Sequence, residues 1–305
     1  MIRILGTAIA ALAGLAFGSF LNVCISRWPE GESIVLPRSH CRSCGRSLAW
    51  WENIPLVSWI ALHGRCRTCK ANIGWRYPLV ELTVAASWAA AAWRGLAVLG
   101  APESTALSVY DEFTFTTVKM ALCWLLTGIA ALDAERLWLP DWLTLGGAAL
   151  GLLVSAVRFS VRWVWAVLPL HWSLESGLED HHAQVFDAAV RWIVGLILFP
   201  VLILLIRWAY STLRGREGMG LGDAKLMLLL AAWLGLSHTL LAFFLGVTAG
   251  ALVAVVILVV RSTRHHAEPW HLTKLPLGTF LCFGGIISAL WGRQIIDAYL
   301  EYCGF

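Results

Sequence analysis

Charged side chains are scarce in this chain. They make up 14% of its 305 residues, where soluble domains carry about 25%. This shortage excludes an ordinary cytosolic enzyme, a disordered chain and a nucleic-acid-binding domain, all of which depend on exposed charge. No internal repeat, low-complexity tract or glycine-rich dinucleotide loop stands out. No polar stripe runs through successive apolar segments, as an ion path would require. Basic residues are absent from 100–116, which holds only Glu103, Asp111 and Glu112.

What is abundant is apolar. Hydrophobic residues reach 59%. Lipid-facing helices must be apolar on all sides and must satisfy their own backbone, so the composition implies an all-α polytopic membrane protein. Apolar runs bounded by charge, Pro or Gly place about eight transmembrane helices near 5–24, 79–99, 117–133, 141–158, 188–210, 224–236, 238–260 and 275–296. The sixth is short and can also run on into the seventh through Gly235-Leu236-Ser237-His238. The 18 Trp suit interfacial belts. Met1–Phe20 has the Arg3 and apolar run of a signal peptide but no clean small-x-small site, so a retained first span is expected.

Lys and Arg mark the cytoplasmic side. Loop 25–78 holds eight basic residues against Glu30, Glu32 and Glu52. Arg214 and Arg216 lie in 211–223, and Arg261, Arg264 and Lys274 in 261–274. Loop 159–187 is acidic, with Glu175, Glu179, Asp180 and Asp187 against Arg162. Eight crossings let these loops alternate as their charges require. Three parts follow: a first transmembrane helix at 1–24, a cytoplasmic loop domain at 25–78, and a membrane core at 79–305.

The loop contains Cys41-Arg-Ser-Cys44 and Cys66-Arg-Thr-Cys69. Two Cys-x-x-Cys pairs supply the four thiolates of a closed tetrahedral zinc site, a small zinc-knuckle domain. A fragment of this size lacks a sufficient core, so metal binding can supply much of its folding free energy. The alternative is a pair of disulfides or redox dithiols, which a reducing cytoplasm disfavours. Cys24, Cys123, Cys282 and Cys303 have no paired spacing and read as small apolar residues.

Ionisable groups at the ends of spans are costly and therefore suspect. Asp133 ends a wholly apolar stretch, and Asp223 follows Gly218, Gly220 and Gly222 at the head of the sixth span. Two crossings separate them, so both face the cytoplasm. Two carboxylates brought close share a proton, and one can activate water while the other protonates a leaving group. The plain alternatives are a polar interfacial residue for Asp133 and a helix N-cap for Asp223. Asp141, after Pro140, reads as a cap or a dipole partner. Glu135 and Glu217 read as solvated or paired with nearby Arg. The His181-His182 and His265-His266 pairs lack a third ligand.

In motif order the chain resembles the prepilin peptidases, the type IV leader peptidases of pilus assembly and type II secretion. The resemblance rests on Gly18-Ser-Phe-Leu-Asn-Val23 with Arg27-Trp-Pro29, on Trp51-Glu-Asn-Ile-Pro-Leu-Val-Ser-Trp59, and on the paired Cys-x-x-Cys. It continues in Arg76-Tyr-Pro-Leu-Val-Glu-Leu82, in Leu132-Asp133 with Leu139-Pro140-Asp141, and in Glu217-Gly-Met-Gly-Leu-Gly-Asp-Ala-Lys225. The resemblance implies that 79–305 is a peptidase core with Asp133 and Asp223 as its catalytic pair. It implies cleavage of prepilin or pseudopilin leaders at the cytoplasmic face of a bacterial inner membrane. The tetracysteine loop is usual in members that also N-methylate the new N-terminus with S-adenosylmethionine; no residue is assigned to that donor. Loop 159–187, with Trp163, Trp165 and Trp172, looks longer than the family needs, and an amphipathic segment on the outer face is expected there. The rival reading is a membrane thiol–disulfide oxidoreductase using the Cys-x-x-Cys pairs.

Overall fold

In the computed structural model, which describes residues 1–100, 106–167, 178–215, 220–262 and 275–304, seven helices are long and apolar enough to cross a membrane. They are α1 (Ile2–Arg27), α3 (Arg76–Gly95), α4 (Ala106–Arg136), α5 (Asp141–Val167), α6 (Leu178–Arg214), α7 (Leu221–Ser262) and α8 (Leu277–Cys303). A short helix, α2 (Val57–Ala61), lies in the loop between α1 and α3. Among the described residues there is no β-strand, only isolated bridges at His40–Ser47 and Arg65–Asn72.

Several helices outrun their apolar segments. α4 begins at Ala106 rather than near 117, α5 continues to Val167, and α6 already starts at Leu178. The added stretches contain neither Pro nor Gly, and extending a formed helix costs far less than starting one. Much of the expected loop 159–187 is therefore a continuation of α5 and α6, with Trp163 and Val164 exposed. Residues 168–177, including Trp172 and Glu175, lie outside the described residues, as do Arg216, Glu217, Arg264, His265, His266 and Lys274. The same holds for the side chains of Trp165, Glu179, Asp180, His181, His182 and Arg261.

α7 contains both the sixth and the seventh expected spans. An unbroken helix over its 42 residues would be about 63 Å long, twice the hydrocarbon thickness. It is not unbroken. Gly235 has φ 74 and ψ −176, conformations open to glycine, and separates 221–234 from 236–262. In the first piece Leu226, Met227, Leu229, Leu230, Ala231 and Ala232 are all buried, covering every side of the helix. In the second piece Leu252, Val255, Val256 and Val259 are exposed, which suits a lipid-facing surface.

The chain divides into two compact units, Met1–Glu135 and Arg136–Phe305. In the first, α1 and α3 meet along Gly14, Gly18, Asn22 and Ser26, spaced by four on one helix face. A Cβ on Gly14 would lie 2.8 Å from Ala85 Cα, and one on Gly18 2.7 Å from Glu81 Cα. Such close backbone approach is how small residues drive helix association in lipid. α4 is pinned to both neighbours: Trp124 Nε1 donates to Phe17 O at 3.0 Å and Trp88 Nε1 to Met120 O at 2.9 Å.

The second unit is built around α7. Trp192 Nε1 on α6 and Ser155 Oγ on α5 both donate to Ala232 O, at 3.1 and 2.8 Å. Trp233 Nε1 returns a bond to Gly147 O of α5 at 2.8 Å. Gly246 seats against the α8 backbone, where a Cβ would come within 2.9 Å of Leu281 Cα. Four of the tryptophans thus act as hydrogen-bonding pins between helices rather than as interfacial anchors.

Candidate active site and metal centre

The two Cys-x-x-Cys segments fold into the same knuckle. Cys41 N–H donates to Arg46 O (2.9 Å), Gly45 N–H to Cys41 O (2.8 Å) and Leu48 N–H to Ser39 O (2.8 Å). The same three bonds recur 25 residues on: Cys66 to Ala71 (2.8 Å), Lys70 to Cys66 (3.0 Å) and Ile73 to Gly64 (2.6 Å). Gly45 and Lys70 fill the same left-handed position, with φ 71 and 58. The loop is therefore an internal structural repeat. Sequence inspection missed it because the copies share little beyond the cysteine spacing.

The knuckles bring all four sulfurs within 4.8 Å of one another. Cys41 Sγ and Cys69 Sγ are 3.7 Å apart, and none of the four thiols is in a disulfide. Tetrahedral zinc with Zn–S bonds of about 2.3 Å needs sulfurs about 3.8 Å apart, so the four thiols can hold a metal ion. Backbone N–H groups of Cys69 and Thr68 pull the Cys66 thiol down to about 6. The N–H groups of Cys44 and Ser43 lower Cys41 likewise. Cys69 is drawn down by Ala71 N–H, but desolvation and the thiols of Cys66, Cys44 and Cys41 prevail and push it up to about 11. The arrangement favours some thiolates yet penalises all four together, a conflict that a divalent cation would remove.

A buried carboxylate steadies the first knuckle. Glu52 accepts from Arg46 through both oxygens, at 2.7 and 3.1 Å, and from Ala49 N–H at 2.7 Å. Trp59 packs against Trp75 with ring centres 4.4 Å apart and donates to Ile73 O in the second knuckle at 3.1 Å. The loop is joined to the membrane helices by charge-assisted bonds. Arg42 Nη2 reaches Ser26 O at 2.6 Å, and Arg27 reaches Ser33 O and Pro37 O at 2.7 and 2.6 Å. Arg76 links Ser26 Oγ and Glu135 Oε2, both at 2.7 Å. Glu135 is thus paired with an arginine, not a nearby one as expected but Arg76, 59 positions away.

Asp133 belongs to the first unit and sits in the last turn of α4, 5% exposed. Asp223 belongs to the second unit and sits in the first turn of α7, 8% exposed. Its N–H donates to Gly220 O at 3.3 Å, so the residue lies inside the helix and not at its cap. Gly222 faces Leu139: a Cβ there would come within 2.7 Å of Leu139 Cδ1. The glycine therefore lets the 139–141 segment approach the start of α7. Asp141 opens α5, as a dipole partner should, and also accepts from Lys225 Nζ at 2.6 Å. Lys225 had no assigned role in the sequence reading; only its place two residues beyond Asp223 hinted at one. Cys24, Cys123 and Cys282 are buried as small apolar residues would be, while Cys303 is exposed.

These features define a multi-pass helical membrane protein with a four-cysteine domain between its first two long helices and two buried aspartates at helix ends. Residues 12–95 match the Bacterial Peptidase A24 N-terminal domain, and residues 120–255 match the Type IV leader peptidase family. The chain belongs to the type IV leader peptidase family. It is 33% identical to a prepilin leader peptidase/N-methyltransferase of Pseudomonas aeruginosa, over 96% of this chain and 93% of that protein. The proteins of the same name from Pseudomonas putida and Burkholderia pseudomallei are 32% and 33% identical, over 97% and 93% of this chain and 94% and 85% of theirs. These relatives are peptidase/methyltransferases, and nothing in them supports the thiol–disulfide oxidoreductase alternative. No solved structure matches the chain.

Proposed function

We propose that this protein cleaves the leader peptide of a prepilin or pseudopilin and N-methylates the new terminal residue, with Asp133 and Asp223 as the proteolytic pair. The observation that carries the reading is similarity over nearly the whole chain to proteins named for both activities. Burial of one carboxylate at the end of α4 and another at the head of α7 supports the residue assignment. One aspartate takes a proton from water as it attacks the scissile carbonyl. The other gives a proton to the departing amide nitrogen, and no covalent enzyme intermediate forms. The charge asymmetry of the loops supports a cytoplasmic site in a bacterial inner membrane.

The fit of the four thiols supports a structural zinc ion held by Cys41, Cys44, Cys66 and Cys69. Such a closed site braces the loop and leaves no open position for chemistry. S-adenosylmethionine is the methyl donor implied by the second activity. Membrane insertion without nucleic-acid contact fits the scarcity of charge.

The test is cleavage of a prepilin by purified full-length protein. Asp133→Asn and Asp223→Asn should each lower the rate by at least about a thousandfold with the protein still in the membrane. Near-normal processing by both variants would overturn the assignment. Metal analysis should find about one zinc per chain; four free thiols in an active, metal-free protein would remove the zinc reading. Cysteine accessibility from each side of the membrane checks the orientation.

A further inference from the structure

One polar cluster of the first unit lies apart from the proposed proteolytic pair in sequence and has no role assigned to it in the proposed function. Glu81 on α3 is 6% exposed and Asn22 on α1 is 2% exposed. Gly18 lets α1 press on the Glu81 backbone, and Asn22, one turn further along, sets its amide beside the Glu81 carboxylate. The groups facing that carboxylate are neutral. Leu56 N–H donates to Oε2 at 2.8 Å, and the Ser19 hydroxyl and the Asn22 amide complete the set. Among the described residues no Lys, Arg or His forms an ion pair with Glu81. Arg76, on the same helix, is held by Ser26 and Glu135. Asn22 donates Nδ2 to Tyr77 O at 2.9 Å, while its Oδ1 is buried without a hydrogen-bond partner.

A buried carboxylate without a counter-charge and a buried acceptor without a donor thus stand side by side. Each is costly alone. Both defects have the same sign, and one kind of ligand repairs both: a primary ammonium, with one positive charge and three N–H donors. A hard divalent cation would seek about six oxygen ligands, more than the Glu81 carboxylate and Asn22 Oδ1 offer. A guanidinium is best matched by both oxygens of one carboxylate, and here Leu56 N–H already takes Oε2.

We propose that Asn22 and Glu81 form a seat for the terminal ammonium of the processed substrate. This rests on the proposed function: cleavage creates that ammonium, which loses a proton to water before its nitrogen lone pair takes the methyl group from the sulfonium of S-adenosylmethionine, with S-adenosylhomocysteine leaving. The seat lies where Leu56 of the cytoplasmic loop meets α3, so the four-cysteine loop covers it. Glu81 and Asn22 are positioning residues that hold the amine nitrogen in register as the methyl acceptor. Ser19 and Leu56 hold the carboxylate itself.

The test compares binding of two synthetic peptides to the full-length protein in nanodiscs. Both begin with phenylalanine and continue with an apolar stretch; one has a free α-amine and the other is N-acetylated. The wild type should prefer the free amine by on the order of tenfold. Glu81→Gln should bind both peptides alike, and Asn22→Leu, which removes the spare acceptor, should narrow the preference. No preference in the wild type, or the full preference retained by Glu81→Gln or by Asn22→Leu, would overturn the proposal. The assay needs no turnover. A wild type that binds with this preference but neither cleaves nor methylates a prepilin would instead defeat the proposed function.

Discussion

Lys225 Nζ lies 2.6 Å from Asp141 Oδ1, joining the N-terminal part of α7 to the first turn of α5. The bridge ties the segment bearing Asp223 to the one that begins at Leu139. Its partners are partly exposed, so such a pair contributes only about 0–1 kcal/mol to stability. A larger effect on cleavage would therefore report the placement of Asp223 and not unfolding. Lys225→Met should slow leader cleavage several-fold with little change in thermal stability. The reversed pair Asp141→Lys/Lys225→Asp should recover most of the rate, measured beside each single variant.

The contact of Gly222 with Leu139 predicts a second compensation. Gly222→Val would drive its side chain into Leu139. Overpacking of this kind costs about 1–3 kcal/mol, and here it displaces the backbone next to Asp223. Cleavage should fall, and Leu139→Ala in the same protein should restore part of it. A double variant no better than Gly222→Val would show that the loss does not come from the contact with Leu139.

Gly18 meets backbone and not a movable side chain. Gly18→Ala should therefore separate α1 from α3 and lower stability by about 1–3 kcal/mol. Unfolding in detergent measures this. Gly146 is the control, because nothing lies within 4 Å of a Cβ added there; Gly146→Ala should be tolerated.

The hydrogen bonds from Arg46 hold Glu52 below the usual carboxylate range; burial opposes the shift, and Ala49 N–H reinforces it. Because the folded pKa is depressed, the contribution is complete above the unfolded value of about 4.3. It is lost as pH falls through the folded value. Glu52→Gln should cost about 2 kcal/mol at neutral pH. The gap from wild type should close on acidification, as thermal unfolding at a series of pH values would show.

Much of the site was legible because its parts are local. The four cysteines were found from spacing alone, since each knuckle is closed by hydrogen bonds within a few residues. Asp133 and Asp223 stood out because a carboxylate bordering an apolar run is costly. The Asn22–Glu81 cluster left a fainter trace, the four-residue spacing of Gly14, Gly18, Asn22 and Ser26, which acquires meaning only when α3 lies against it.

The sequence by itself determined that the chain is helical and membrane-spanning, where most spans fall, and which thiols converge. Those properties follow from residue type and short-range spacing. The tertiary structure alone decided that α7 breaks at Gly235, that its first piece is enclosed, and that tryptophans pin the helices together. It also decided the pairing of Arg76 with Glu135 and of Lys225 with Asp141. The reason is physical: in a membrane chain the lipid-facing and helix-facing sides are equally apolar, so hydropathy does not tell one from the other. Close backbone approach and long-range polar bonds make that choice, and their partners lie tens of residues apart.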